Sequence, residues 1–335
     1  MQKLSILFAG LLICGTAGNA SSAELREIKI GRMPSISQLQ FMVMEHDKLI
    51  ERHARRLGLG EIKASWPIFS GGAAMNDALL SGELQVGATG VPPFLIIWAK
   101  TVGTYDVMGV SSIVSGPIYL NTRDANLKTL KDLSARNKIA MPAAKVSNQA
   151  IVLQMAAAQL FGDANYSRFD SLTTSLPNPD GMAALLSEQT EIDCHFTAPP
   201  YQYLELKNPK IRTLLNSHTI FGGPTTLSMV YAARKFRDEN PMLYKAFIAA
   251  MDEATAIIYR DKTAAAGIYL EISKDKRSTT DDILKILNDP QVTYTLTPQN
   301  LMKYAEFMHK VGTLPRVPRS WKEMFFPEVH DLPGS

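Results

Sequence analysis

The sequence holds only two cysteines in 335 residues, Cys14 and Cys194, which is too few for a disulfide framework. It also lacks an excess of charge of either sign. Lys and Arg number 35 against 32 Asp and Glu, a formal net charge of +3, and no basic run is long enough to track a polyanion, so no nucleic acid is expected as a partner. The densest basic stretch, Arg52, His53, Arg55 and Arg56, reads as the solvated face of a helix. No apolar run approaches the roughly 20 residues that span a bilayer, and no internal repeat or low-complexity linker interrupts the chain. Catalytic signatures are missing as well: there is no G-x-S-x-G elbow, no H-E-x-x-H, no Walker loop and no G-x-G-x-x-G. The 6 histidines are scattered, and His46 and His53, near Glu45 and Asp47, fit a solvated helix better than a metal site. No cofactor and no metal are expected.

What is present starts with a leader. Lys3 precedes an apolar run from Leu4 to Ile13, and small polar residues follow from Gly15 to Ala23; this is the layout of a secretory signal peptide. The expected cleavage is after Ala23, giving a periplasmic protein that begins at Glu24. Cys14 has Leu11 three residues ahead of it, as in lipid-attachment sites, but Ile13 is too large for the position before a lipidated cysteine. Loss of the leader takes the net charge to +2 and leaves Cys194 alone, so the mature chain is stabilised by its cores.

Strand and helix signals then alternate. Glu27 to Gly31, Ile62 to Phe69, Leu84 to Ala88, Val107 to Val114, Pro117 to Leu120, Lys138 to Met141, Ile192 to Phe196, Ile211 to Leu215 and Thr226 to Ala232 read as strands. A helical stretch carrying Leu49, Ile50, Ala54 and Leu57 runs to Gly58, and a second opens at Ser70-Gly71-Gly72. Lys128 to Leu133 forms a short helix and Ser147 to Leu160 a longer one. Beyond Asn240 the chain turns helical, with Asn240 as cap and Pro241 at the first position, and a later helix is expected to start with Thr297 as cap and Pro298 as first residue and to end at Gly312. This order implies an α/β protein with parallel-rich sheets flanked by helices. The small residues Ser115-Gly116 and Phe221-Gly222-Gly223-Pro224 suit two crossings between lobes. Lobe 1 is then discontinuous, residues 24–115 and 222–335, and lobe 2 covers 116–221.

In order and spacing these segments resemble a known family. Ile30-Gly31 opens the first strand, Ser70-Gly71-Gly72 leads into Leu80-Ser81-Gly82-Glu83, and Val86-Gly87-Ala88-Thr89-Gly90 follows. Leu127 to Leu133 with Lys138-Ile139-Ala140, and Ala233-Arg234-Lys235-Phe236 with Glu239-Asn240-Pro241, complete the set. The chain is similar to the periplasmic substrate-binding proteins of nitrate, sulfonate and taurine type ABC transporters, relatives of the thiamine-precursor binding proteins. The resemblance implies the two-lobed, type II periplasmic binding protein fold with two hinge crossings. It further implies a monomer that encloses a small-molecule solute, expected to be anionic, and hands it to an inner-membrane ABC permease and ATPase complex. An enzyme on the same fold, related to thiamine-pyrimidine synthesis, and a sensor that presents its ligand to a membrane receptor remain the alternatives; the enzyme relatives carry a cysteine-rich motif that one mature cysteine cannot supply.

Ligands of α/β sheets bind beyond the carboxyl ends of the strands, which selects the candidate residues. Ser70, Gly71 and Gly72 start a helix whose free N–H groups and dipole attract an anion. Thr89 and Gly90 end a strand. Ser37 and Gln38 offer hydrogen bonds, with Phe41 beside them to stack on an apolar part of the ligand. From the second lobe, Lys145, Ser147 and Asn148 precede a helix, and His195 and Thr197 alternate toward the cleft at the end of a strand. Cys194, on the opposite face from His195, reads as a buried small hydrophobe.

Overall fold

A computed structural model describes residues 24–335; the expected leader, with Cys14, lies outside the described residues. The chain begins with β1 (Glu27–Lys29), which buries Ile28, then makes a 3-10 turn at Ile36–Gln38 before α1 (Leu39–His46) and α2 (Leu49–Arg56). The helical stretch is therefore broken at Asp47-Lys48, where Lys48 takes φ 50°. Burial explains the break: α1 buries every residue from Leu39 to Met44, whereas α2 buries only Leu49, Ile50 and Ala54. A helix inside the core cannot continue straight into one that lies on its surface.

Next come β2 (Lys63–Ser65), α3 (Gly72–Leu80), β3 (Val86–Thr89), α4 (Val91–Thr101) and β4 (Val107–Ser115). Pattern reading assigns α4 no helix, because Val91, Phe94, Leu95, Ile97 and Trp98 are all buried and leave little polar face. Pro92 and Pro93 fall in its first turn, where the missing N–H groups would have no partner anyway. The chain then crosses to β5 (Tyr119–Thr122), β6 (Ile139–Met141), α5 (Asn148–Phe161), β7 (Thr173–Ser175), α6 (Asn178–Leu186), β8 (Cys194–Thr197), α7 (Tyr201–Glu205), β9 (Arg212–Asn216) and α8 (Ser217–Phe221). It returns through Gly222 and Gly223, both at positive φ, into β10 (Thr226–Ala233), α9 (Arg234–Glu239), α10 (Pro241–Arg260), α11 (Lys262–Ser273), α12 (Thr280–Leu287), β11 (Thr293–Tyr294) and α13 (Leu301–Lys310).

Two sheets result, built alike. In the first, β2 pairs β1, β1 is bridged to β3 through Ile30 and Val86, and β3 is followed by β10, β4 and β11. In the second the order is β7-β6-β8-β5-β9. Within each sheet the parallel strands share one direction, and one inserted strand, β10 or β5, is antiparallel to both neighbours; β11 adds a further antiparallel edge to the first sheet. That inserted strand is in each case the one that has just crossed from the other lobe. The two crossings are laced together: Gly116 N donates to Thr225 O at 3.1 Å, Ser115 Oγ to Thr225 O at 3.0 Å, and Ile118 N to Ser217 Oγ at 3.0 Å.

Two helix starts differ from the sequence reading. Asn240 precedes α10, but its side chain accepts from Leu25 N at 2.8 Å and donates to Phe236 O at 2.9 Å rather than capping its own helix. Glu24 supplies the cap, accepting from Met242 N at 3.0 Å and Leu243 N at 2.7 Å. The last helix starts at Leu301 behind Asn300, not at Pro298 behind Thr297; Gln299 N is taken by Thr226 Oγ1 at 2.9 Å, which ties that segment to β10 instead.

Candidate functional site

The carboxyl ends of β3 and β6 and the amino end of β10 meet along the seam between the lobes, where three helices also begin. Helix α3 starts at Gly72 with Gly71 as its N-cap, and α4 starts at Val91 with Gly90 as its N-cap; neither cap has a side chain to offer. The first N–H groups of a helix have no acceptor within it. In α4 two of them are absent, since Pro92 and Pro93 carry none, whereas Gly72, Ala73 and Ala74 of α3 keep theirs. Helix α5 opens with Ser147 as N-cap and Asn148 as first residue.

Close packing fixes these three starts against one another. A Cβ at Gly72 would lie 2.3 Å from Thr89 Oγ1, and one at Gly90 would lie 2.2 Å from Asn148 Oδ1, so glycine permits both approaches. Asn148 reaches across the seam and donates from Nδ2 to Leu227 O of β10 at 3.0 Å. Its Oδ1 is shielded from solvent and has no hydrogen-bond partner among the described residues, as is true of Ser228 Oγ next to that carbonyl. A second tie across the seam runs from Ser35 Oγ to Pro199 O at 3.4 Å, and Ser37 Oγ lies 3.1 Å from Ser35 Oγ. Gly71 differs from its neighbours: nothing lies within 4 Å of where its Cβ would be.

Of the residues expected at the site, the structure gathers Gly71, Gly72, Thr89, Gly90 and Asn148, with Ser37 nearby and Ser70 exposed at the edge. Others are placed elsewhere. Gln38 is fully buried and spent on structure, accepting from Met33 N at 2.7 Å and donating to Ala88 O at 3.1 Å. Phe41 does not stack on a ligand; it is in the core against Trp66 and Phe247, at ring separations of 5.5 and 6.1 Å. Lys145 is exposed, in the left-handed region at φ 72°. The Ser147 hydroxyl is used locally, accepting from Ala150 N at 3.2 Å and donating to Ala143 O at 2.6 Å.

His195 turns to the interior of its own lobe. Its Nδ1 is 2.5 Å from Glu205 Oε1, both side chains are wholly buried, and its ring abuts Gly181 of α6. Glu205 Oε2 accepts from Asn121 Nδ2 at 2.8 Å, and Asn121 Oδ1 accepts from Thr213 Oγ1 at 2.9 Å. Thr197 sits on the same face, its hydroxyl donating to Asn178 Oδ1 at 3.0 Å. Cys194 faces the other way, and burial with the nearby Asp193 carboxylate pushes its thiol well above the ordinary range, so it is no nucleophile. Ser35 and Asn178 were not singled out by sequence reasoning; a lone small polar residue ahead of a helix is too common a signal to select them.

Two α/β sheets, each with one antiparallel strand that enters from the other lobe, a laced pair of crossings and a polar seam between the lobes define the periplasmic binding protein fold. Residues 21–270 match the model of the NMT1-like family, and the chain belongs to that family. A curated protein of Escherichia coli (strain K12), named as an aliphatic sulfonates-binding protein, is 26% identical over 260 residues, covering 76% of this chain and 74% of that protein. The crystal structure of the periplasmic aliphatic sulphonate binding protein SsuA from Escherichia coli superposes with a TM-score of 0.69 at 20% identity, covering 90% of this chain and 92% of that one. The periplasmic nitrate-binding protein NrtA from Synechocystis PCC 6803 gives a TM-score of 0.68 at 12% identity, with coverage of 90% and 85%.

Proposed function

We propose that this chain is the solute-binding component of an ABC importer, exported to the periplasm, which captures a small organic anion between lobes 24–115 with 222–335 and 116–221 and delivers it to the permease and ATPase complex. One observation carries the anionic reading: the uncapped amino terminus of α3, with glycine at both Gly71 and Gly72, opens onto a seam that α5 enters from the opposite lobe. Uncapped N–H groups together with the helix dipole favour an anionic head group. A ligand that touches both lobes stabilises their closed arrangement, and closure is what a transport complex can recognise. No bond in the solute is made or broken.

Gly71 gives the sharpest test. Its backbone is extended, at φ −178° and ψ 172°, and open space surrounds its Cβ position, so Gly71→Leu folds while its side chain obstructs the approach to α3. Thermal shift with a panel of alkanesulfonates, nitrate and small carboxylates identifies the solute, since a native-state ligand raises the melting temperature. Calorimetry is then expected to show binding weakened at least about tenfold in Gly71→Leu, the order of one or more lost charge-assisted hydrogen bonds. Unchanged affinity in a variant with a native circular dichroism spectrum removes α3 from the site.

A further inference from the structure

We propose that Tyr203 of α7 and Asp289, just beyond α12, form a clasp between the lobes, so that closing is biased by contacts outside the solute site as well as by the solute itself. Four side-chain contacts join the segment from Asp282 to Gln291, in the first lobe, to the second. Tyr203 Oη donates to Asp289 Oδ2 at 2.7 Å and Lys207 Nζ to Asp282 Oδ2 at 2.6 Å. Gln291 Oε1 accepts from Asn216 Nδ2 at 2.9 Å, and Gln291 Nε2 donates to Tyr119 Oη at 3.4 Å. None of these residues belongs to the helix starts gathered at Gly71, Gly90 and Asn148.

Both partners of the central contact are oriented before they meet. Asp289 Oδ1 accepts from Gln291 N at 2.8 Å within its own turn, which presents Oδ2 to the other lobe. The Tyr203 ring lies 5.9 Å from that of Tyr119, and Tyr119 is buried at the start of β5, the strand that has just crossed. Burial, together with the Asp289 carboxylate, pushes the Tyr203 phenol well above its ordinary range, so the hydroxyl keeps its proton and remains the donor. A hydrogen bond to a carboxylate, half-buried at both ends, is stronger than a neutral one and only weakly screened. The Lys207 pair, whose ammonium is exposed, contributes less.

The positions of these contacts give them leverage. Gln291 is close to Thr293, which pairs with Ser115 at the outgoing crossing, whereas Asp282 lies in the first turn of α12, a helix of about 12 Å that runs away from it. Helix α12 cannot travel with the second lobe, because Ile283, Ile286 and Leu287 are buried and it packs on α11. A rotation about the crossings that preserves the contact at Gln291 therefore separates those farther out. Contacts made only in the closed form lower the cost of closing, and a solute that is held by the closed form gains affinity from them without touching them.

The test needs no solute, so its failure leaves the anion site standing. Tyr203→Phe keeps the ring on Tyr119 and removes only the bond to Asp289. Small-angle scattering of the unliganded variant is expected to give a larger radius of gyration than the unliganded native chain, with an unchanged circular dichroism spectrum. Asp289→Asn retains an acceptor for Gln291 N but loses the charge, and is expected to shift the radius in the same sense and by less; it carries the test if Tyr203→Phe does not fold. Tyr259→Phe is the control, because the Tyr259 hydroxyl donates to Tyr294 O at 3.0 Å within the first lobe; its radius is expected to match the native value. A folded Tyr203→Phe chain with the native radius overturns the clasp, and so does an equal increase in Tyr259→Phe, which would trace the expansion to general loosening.

Discussion

His195 and His218 show how differently two buried or half-buried histidines behave. His195 is an interior residue whose ring is held by Glu205, itself held by Asn121, and the chain of bonds stiffens the packing of α7 on the second sheet. His218 lies in α8 on the return crossing, half-buried, with Gly116 of the outgoing crossing and Asp289 as its polar surroundings. Burial lowers its pKa below the ordinary imidazole value, outweighing the Gly116 backbone and Asp289, which act in the opposite sense. The sign of the consequence follows from linkage: the unfolded chain binds this proton more readily than the folded one, so His218 costs stability as pH falls below about 6.5 and the cost disappears as pH rises through that value. Melting temperatures from pH 5 to 7.5 are expected to rise less steeply in His218→Gln than in the native protein. Identical pH profiles for the two would mean that the imidazole titrates alike in both states.

Among the elements, α10 depends on the residue with which the mature chain is expected to begin. Glu24 accepts two N–H groups of its first turn, Asn240 accepts from Leu25, and the helix dipole adds to the attraction for the carboxylate. Helix α10 packs on both α1 and α2, so the cap acts on the core of the first lobe. Glu24→Ala is expected to lower stability by about 1 kcal/mol, the usual worth of an N-cap, and Glu24→Gln by less, since an amide oxygen still accepts. Urea denaturation followed by circular dichroism measures both. Equal stability of Glu24→Ala and the native chain would mean that water replaces the cap without loss. The elements most legible in the sequence were strands such as β4 and β10, whose apolar runs are bounded by small residues, and α5, whose Ser147 cap is explicit. Helix α4 was not legible, because burial on nearly all sides erases the 3.6-residue period.

For the whole molecule the property expected of the two-lobed fold is motion about the crossings. Ser115-Gly116 and Phe221-Gly222-Gly223 are the proposed pivots; the strands on either side of them belong to different sheets, and the side chains that tie the lobes include Asn148 to Leu227 and Ser35 to Pro199 along the seam, with Tyr203 to Asp289 and Lys207 to Asp282 farther out. These ties are polar and mostly near the surface, where water replaces them on opening, so the unliganded chain is expected to sample open forms and the liganded chain to close. Small-angle scattering is expected to show a smaller radius of gyration at saturating ligand. The same radius with and without ligand would mean that the lobes are locked, a role that the contacts of α12 with α7 and of α13 with α5 would then fill.

The sequence by itself determined the alternation of most strands and helices, the glycine-marked helix start at Gly71 and the two small-residue crossings, because each is a local preference written within a few residues. It also carried enough order and spacing to place the chain in its family. Which polar side chains face the seam was decided only by tertiary structure. Gln38 and Phe41 follow a strand much as Asn148 does and His195 lies in one, and nothing local distinguishes their roles. Their roles turn on partners far along the chain: Ala88 for Gln38, Phe247 for Phe41, Glu205 for His195 and Leu227 for Asn148. A buried polar group must find its partner wherever the fold brings one, and that choice is made by packing rather than by sequence neighbours.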